Sequence, residues 1–291
     1  MRIAGKGLIN REKTVNFKFD GRSYKGFEGD TVASALLASG KKLFGRSFKY
    51  HRPRGVLTAG SEEPNALITV GQDAFQDPNV RATTQEIFEG LITKSQNNWP
   101  NLQYDILSVN DLFSNFLGAG FYYKTFMWPK SFWEKIYEPF IRRAAGLGAL
   151  SGLHNSDTYE KAYAFCDLLV IGGGPSGLLA AKIAAEAGLD VILAEQEPIF
   201  GGRLNSETEK VDGIPGSDWA AKIIEELKKL DNVRLFVRTT VTGVYDQGTY
   251  AAVERVGHHL PDRGNDRPLE CFWRIVAKNS ILAAGAIERA I

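Results

Sequence analysis

Gly172, Gly174 and Gly177 form a G-x-G-x-x-G pattern within GGGPSG, between an apolar run and a stretch of helix formers. The chemistry this spacing serves is the holding of a pyrophosphate. The first glycine permits a tight strand-to-helix turn, the second lets phosphate oxygens approach the backbone, and the third lets helix and strand pack closely. Pro175 and Ser176 lie inside the turn, and the Ser176 hydroxyl can add a donor. The N-terminus of the following helix then turns unpaired N–H groups toward the anion.

Glu195 comes 18 positions after Gly177, where a carboxylate accepts hydrogen bonds from the ribose of an adenosine, and Gln196 follows it. A carboxylate there favours NAD over NADP, because a 2′-phosphate would face a like charge. Beyond it stand Gly201, Gly202 and Arg203. The glycine pair can bring backbone against a cofactor while Arg203 neutralises phosphate, with a plain loop as the competing reading. His51, His154, His258 and His259 show no metal spacing and are expected at the surface. Cys166 and Cys271 form no C-x-x-C motif, and buried apolar positions are expected for both.

The elements that must position this set can be read from the flanking residues. DLLVI (Asp167 to Ile171), the glycine turn, LLAAKIAAEAG and DVILAEQ read as strand, turn, helix and strand within about thirty residues. Ser217 is a suitable N-cap for DWAAKIIEELKKL. VRLFVRTTV reads as the next strand, with TYAAVERV and FWRIVAKNSILAAG as further β segments. The assembly expected is a doubly wound, Rossmann-type parallel sheet with an antiparallel flap over residues 163–291, incomplete at its C-terminal end.

Ahead of it, VNFKFDG alternates apolar and polar residues, and Asp20-Gly21 marks a hairpin turn before RSYKGFEG. Asp30 is placed as an N-cap for TVASALLASG, which puts Val32, Ala35, Leu36 and Ser39 on one face and ends at Gly40. ALITVG supplies another strand. Hairpin then helix suggests a ferredoxin-like β-grasp domain over residues 1–95. With no cysteine before Cys166, that domain cannot hold the four-thiolate cluster of its relatives. Residues 96–162 form an aromatic-rich connection.

The whole chain has 291 residues, roughly two domains at about 150 residues each. Its 35 Lys+Arg against 34 Asp+Glu leave a net charge of +1, so no global field marks it for nucleic acid. The basic loop from Lys41 to Arg54, with Phe44, Phe48 and Tyr50 interleaved, could bind nucleic acid through phosphates and stacking as a minor reading, against a solvated loop or, as a family resemblance implies, a subunit or flavin-phosphate interface. Two cysteines and the absence of an apolar leader point to a reducing, cytoplasmic setting. The apolar stretch from Leu112 to Pro129 is interrupted by Asn115 and Lys124, so it is expected to be buried or interfacial and not to span a membrane.

Several longer runs resemble one family: GRSFKYHRPRG (Gly45 to Gly55), AGFYYKTFMWP (Ala119 to Pro129), YEPFIRRAAGLG (Tyr137 to Gly148), DLLVIGGGPSGLLAA and VRTTVTGVYDQGTYAAVERV. They are similar to the α subunits of heterotetrameric sarcosine oxidases, whose relatives include opine, cyanide-forming and proline-oxidising amine dehydrogenases. The resemblance implies an oxidoreductase acting on the CH–NH group of sarcosine, with NAD on this subunit. FAD and FMN chemistry is then expected on, or at the interface with, a partner β subunit, with γ and δ subunits completing the complex and tetrahydrofolate taking the one-carbon unit. It implies no catalytic residue here, and it adds Thr240, Val241, Ala284 and Gly285 to the candidate cofactor contacts. Where relatives read A-T-G-x-x-E-R-P, this chain has Ala284 for Thr and Ala290 for Pro. An α subunit of another amine, opine or proline dehydrogenase, and a non-catalytic assembly subunit with structural NAD, stay open as alternatives.

Overall fold

A computed structural model of the chain describes residues 2–3, 7–115, 117–120, 126, 128–144, 148–262 and 266–286. The chain divides between Ser156 and Asp157 into two units.

In the first unit, β1 (Asn10–Phe19) pairs antiparallel with β2 (Arg22–Glu28). Asp20 and Gly21 both have positive φ, 51° and 75°, as a two-residue hairpin turn of this hand requires. Val15, Phe17 and Phe19 point inward from β1. The helix α1 (Val32–Ala38) is capped by Thr31, not by Asp30. Thr31 Oγ1 accepts from the Ser34 N–H while Ser34 Oγ accepts from the Thr31 N–H, a reciprocal capping box. Asp30 is displaced from the cap because its carboxylate is buried and engaged elsewhere, by the Phe27 N–H, the Ser34 hydroxyl and the Arg2 guanidinium. The helix stops at Gly40, whose φ is +81°.

The strands β3 (Gly45–Arg46) and β4 (Pro53–Arg54) make a small ribbon. β5 (Leu67–Val70), β6 (Asp77–Arg81) and β7 (Ile92–Ser95) complete a sheet of order β2-β1-β7-β5-β6, with β1 and β7 parallel at its centre. Helix α1 lays Val32, Ala35 and Leu36 into one core with Phe17, Phe19, Phe44, Ile68 and Leu91. This is the expected β-grasp arrangement.

The basic loop is held largely by its own unit. Arg46 donates to the carbonyls of His51, Leu102 and Gln103, Arg52 pairs with Asp111, and Lys49 and Arg52 lie over the Tyr50 ring. His51, expected at the surface, is fully buried with Nδ1 2.6 Å from Asp105 Oδ2. The Asp105 carboxylate also accepts the N–H groups of Trp99 and Leu107, so the imidazole closes a buried polar network supplied from far along the chain.

Beyond Gln96 the unit contains a 3₁₀ stretch (Ile106–Phe113), a π-helical turn (Trp133–Tyr137) and α2 (Glu138–Ala144). Within the unit none of the described residues of the apolar stretch is buried: Leu112 is 81% and Trp128 83% exposed. Short non-α turns present no continuous face that could be packed. Phe116, residues 121–125 and Met127 of that stretch lie outside the described residues. Among the described residues, no helix is long and apolar enough to cross a membrane.

The second unit runs through β8 (Tyr159–Ile171), α3 (Pro175–Glu186), β9 (Val191–Ala194), β10 (Lys210–Val211), β11 (Ile214–Pro215), α4 (Gly216–Leu227), β12 (Val233–Phe236), β13 (Thr239–Tyr245), β14 (Thr249–Glu254) and β15 (Glu270–Leu282). Its main sheet has the order β12-β9-β8-β15-β14-β13. The first four strands are parallel and the last two turn back antiparallel, as expected of a doubly wound sheet with a flap. Two local expectations fail. Helix α4 takes Pro215 at its cap position, so Ser217 lies inside the first turn. VRLFVRTTV is two strands, broken where Arg238 adopts φ 52° and its N–H bonds the Glu197 carbonyl.

Helices α3 and α4 cover one face of the parallel strands, with Leu178, Ala181, Trp219 and Ile223 on Leu168, Val170 and Leu193. The other face packs Leu169, Ile192 and Ala194 with Tyr250, Ala252, Ile275 and Ala277 of the flap region. Phe236 on edge strand β12 and Trp273 on β15 stand three places apart in the sheet, yet their ring centroids are 4.8 Å apart. Contact at that separation requires a strongly coiled sheet whose flap closes over the second face. Hence DLLVI is apolar without alternation: it is covered on both sides.

Cys166 and Cys271 are both buried, and burial pushes each thiol up to about 11. Iodoacetamide at pH 8 is therefore expected to leave both unmodified in the folded protein and to alkylate both in denaturant. A carbamidomethyl group on either cysteine of the native chain, read by mass spectrometry, would refute this.

Candidate functional site

The parallel strands β8, β9 and β15 end at one edge, with Ile171, Ala194 and Leu282, and the chain leaves them into Gly172, Glu195 and Ala283. From β8 the chain goes through α3 to β9 on one side and returns through the flap to β15 on the other. The winding direction thus reverses between β8 and β15, which opens a crevice beyond their carboxyl ends.

The glycines of the turn differ in what demands them. Gly172 has φ +105°, and a Cβ there would lie 2.5 Å from the Ala283 carbonyl oxygen. A Cβ on Gly177 would come within 1.9 Å of the Gly172 carbonyl oxygen. Both are required by the protein's own packing. Gly174 is not: its φ of −73° suits any residue, and a Cβ would meet nothing within 4 Å. Helix α3 starts directly after it, with Pro175 in the first turn and no side chain capping the N-terminus, so the N–H groups of that turn face open space.

Glu195 is 6% exposed. Its Oε2 accepts the Gly173 N–H at 2.7 Å and its Oε1 the Glu197 N–H at 2.9 Å, so the carboxylate clamps the glycine turn. Its backbone is also held, donating to the Phe236 carbonyl and accepting the Thr239 N–H at 2.7 Å. Thr240 and Val241 follow directly and are thereby brought to the Glu195 end of the edge. The Gly201 N–H bonds the Gly173 carbonyl at 2.8 Å, and a Cβ on Gly202 would stand 3.1 Å from Gly174 Cα, so the glycine pair packs on the turn. The Arg203 guanidinium pairs with Glu207. Ala283 donates to the Ile171 carbonyl, which sets Ala284 and Gly285 at the mouth of the crevice. Arg289 and Ala290 lie outside the described residues.

The structure thus gathers Gly172 to Gly177, Glu195, Gln196, Gly202, Thr240, Val241, Ala284 and Gly285 along one sheet edge. Three residues there are not legible as site members in the chain. Phe200 backs Gly173, whose Cβ would lie 2.4 Å from the phenyl ring; Thr239 ties the flap to Glu195; and Arg255 brings its guanidinium to the Gln196 carbonyl at 3.4 Å. The one available signal is that the middle of the three consecutive glycines, Gly173, is a glycine although the G-x-G-x-x-G pattern leaves that position open. Among the described residues, no group of three His, Cys, Asp or Glu could hold a metal ion.

The family model for an NAD(P)-binding Rossmann-like domain matches residues 170–240, and that for a 2Fe-2S iron-sulfur cluster binding domain matches residues 12–98. Over 288 residues, 99% of this chain, the sequence is 55% identical to sarcosine oxidase subunit alpha of Rhizobium meliloti (strain 1021). The chain is a homologue of sarcosine oxidase subunit alpha. It is 34% identical to the subunit alpha of Corynebacterium sp. (strain U-96) over 97% of its length. This sarcosine oxidase alpha homologue spans 29% and 25% of the lengths of those two relatives. L-proline dehydrogenase from P. horikoshii shares the fold, with a TM-score of 0.59 and 19% identity over 99% of this chain and 44% of that one.

Proposed function

We propose that this chain is the NAD-holding part of the α subunit of a heterotetrameric sarcosine oxidase. In that complex sarcosine is oxidatively demethylated to glycine, the one-carbon unit passes to tetrahydrofolate, and hydrogen peroxide forms. The observation that carries the dinucleotide reading is Gly174. A position whose own backbone and surroundings tolerate a side chain, placed where a helix N-terminus opens, has a reason to be glycine if a ligand backbone comes there. The homology to sarcosine oxidase subunit alpha supports the oxidase reading.

In this reading the first-turn N–H groups of α3 and the Ser176 hydroxyl hold the pyrophosphate, with Gly202 against the turn and Arg203 beside it. Glu195 and Gln196 take the adenosine ribose, Thr240 and Val241 line the adenosine end, and Ala284 and Gly285 border the crevice toward the nicotinamide. Bound NAD supplies a hydride acceptor. FAD and FMN belong on, or at the interface with, the β subunit, with γ and δ as the other partners. This chain contributes binding and orientation, and no catalytic side chain.

The test is direct. Cofactor released from the purified complex should contain NAD in stoichiometric amount by mass spectrometry, and anaerobic sarcosine should bleach the flavin absorbance. Complex that releases no NAD, or whose flavins stay oxidised with sarcosine, would refute the proposal.

A further inference from the structure

The domain that matches residues 12–98 is one that binds a two-iron cluster, and the thiolates of plant-type members are spaced C-x₄-C-x₂-C. In the connection that leads from β4 to β5, Thr58, Glu63 and Ala66 stand at that spacing. No thiolate is available to hold iron, so the residues present do not fit a cluster.

Glu63 is 1% exposed. Its Oε2 accepts the N–H groups of Leu57 at 2.7 Å and Thr58 at 2.6 Å, and its Oε1 accepts those of Asn65 at 2.7 Å and Ala66 at 3.1 Å. The Thr58 hydroxyl adds a fifth contact at 3.4 Å. Two of the four amides belong to the other two positions of the thiolate spacing. Burial pushes the Glu63 carboxyl up, but the backbone N–H groups of Thr58, Asn65, Leu57 and Ala66 more than offset this and hold it below the usual carboxylate range. Convergent backbone amides of this kind form an anion-binding concavity, the arrangement that also surrounds many iron–sulfur sites. The loop ends at Ala66 and β5 follows with Ile68, both fully buried, so the nest also fixes where β5 enters the core.

We propose that Glu63 is a built-in anion filling the amide nest at which cluster-bearing domains of this fold hold iron and sulfide. The carboxylate closes the loop from Gly55 to Ala66 without metal.

Hydrogen exchange of the loop in the full chain tests this. Glu63→Gln keeps the shape but turns an NH₂ group toward two of the four donors, and Glu63→Ala removes the acceptor. Both should speed exchange of the 55–66 amides at least tenfold, whereas Glu62→Gln, which changes the same charge at a neighbour that accepts no backbone N–H, should leave it within twofold of wild type. In Glu63→Ala, added acetate should restore protection and chloride should not. Wild-type exchange in Glu63→Gln, equal effects of Glu62→Gln and Glu63→Gln, or no rescue by acetate would each overturn the proposal. So would a stoichiometric cluster formed on the wild-type chain with iron and sulfide.

Discussion

Gly174→Ala is expected to reduce dinucleotide affinity about a hundredfold while leaving the ligand-free fold intact, and Gly177→Ala is expected to do damage of the opposite kind. A methyl group added at Gly174 meets nothing within 4 Å in the protein, and the backbone there, at φ −73°, accepts it without strain. Replacing glycine at such a position lowers the entropy of the unfolded chain and stabilises by about 0.4–1 kcal/mol. The methyl would project into the space above the α3 N-terminus. If it displaces two charge-assisted N–H···O contacts to phosphate, worth about 1.5–3 kcal/mol each, the affinity falls by at least about two powers of ten. At Gly177 the added carbon would sit 1.9 Å from the Gly172 carbonyl oxygen, a backbone atom that cannot swing aside. Helix α3 must move off β8 there, which costs about 1–3 kcal/mol or more before any ligand is added. Melting curves of the ligand-free variants, paired with calorimetric titration of NAD, separate the two. Equal loss of stability at both positions, or wild-type affinity in Gly174→Ala, would remove the argument for a ligand at the turn.

The second large effect concerns Glu195. Wild-type protein should prefer NAD to NADP by more than tenfold, and Glu195→Gln should bring the two affinities within a few-fold of each other. Like charges about 4 Å apart repel by roughly 4 kcal/mol at an effective dielectric near 20, and half of that already exceeds tenfold. The structure adds a cost that the charge argument omits. Because the carboxylate clamps the Gly173 and Glu197 N–H groups, Glu195→Ala would leave two inward-facing donors unpaired, about 1–3 kcal/mol each. Glu195→Gln is therefore the cleaner variant, retaining an acceptor for one of them. The structure also places an arginine where the residues after Glu195 offer none: the Arg255 guanidinium reaches the Gln196 carbonyl. In the Glu195→Gln background, Arg255→Ala should weaken NADP more than NAD. An unchanged NAD to NADP ratio in Glu195→Gln would show that this carboxylate does not read the ribose.

What the chain determines by itself is whatever depends on neighbours a few residues away. The Asp20-Gly21 turn, the stop at Gly40, the glycine turn after DLLVI and the carboxylate 18 positions on are all set by backbone conformation or short periodicity, and the structure has them in place. The tertiary structure decides whatever depends on a partner from elsewhere. Thr31 rather than Asp30 caps α1 because Arg2, 28 residues away, and the Phe27 N–H engage the Asp30 carboxylate. His51 is buried because Asp105, 54 residues on, holds its Nδ1. VRLFVRTTV breaks at Arg238 because the parallel sheet ends there and the Glu197 carbonyl captures the Arg238 N–H, a change of direction that β propensity alone does not encode. The same holds at the candidate site. Gly172 and Gly177 are legible because a positive φ and close backbone packing restrict residue type there, and Glu195 because it follows at a fixed spacing in the strand–turn–helix–strand pattern. Phe200, Thr239 and Arg255 are not, because an ordinary phenylalanine acquires its place only when the loop after β9 packs on the glycine turn, and the threonine and arginine only when the flap reaches the end of β9.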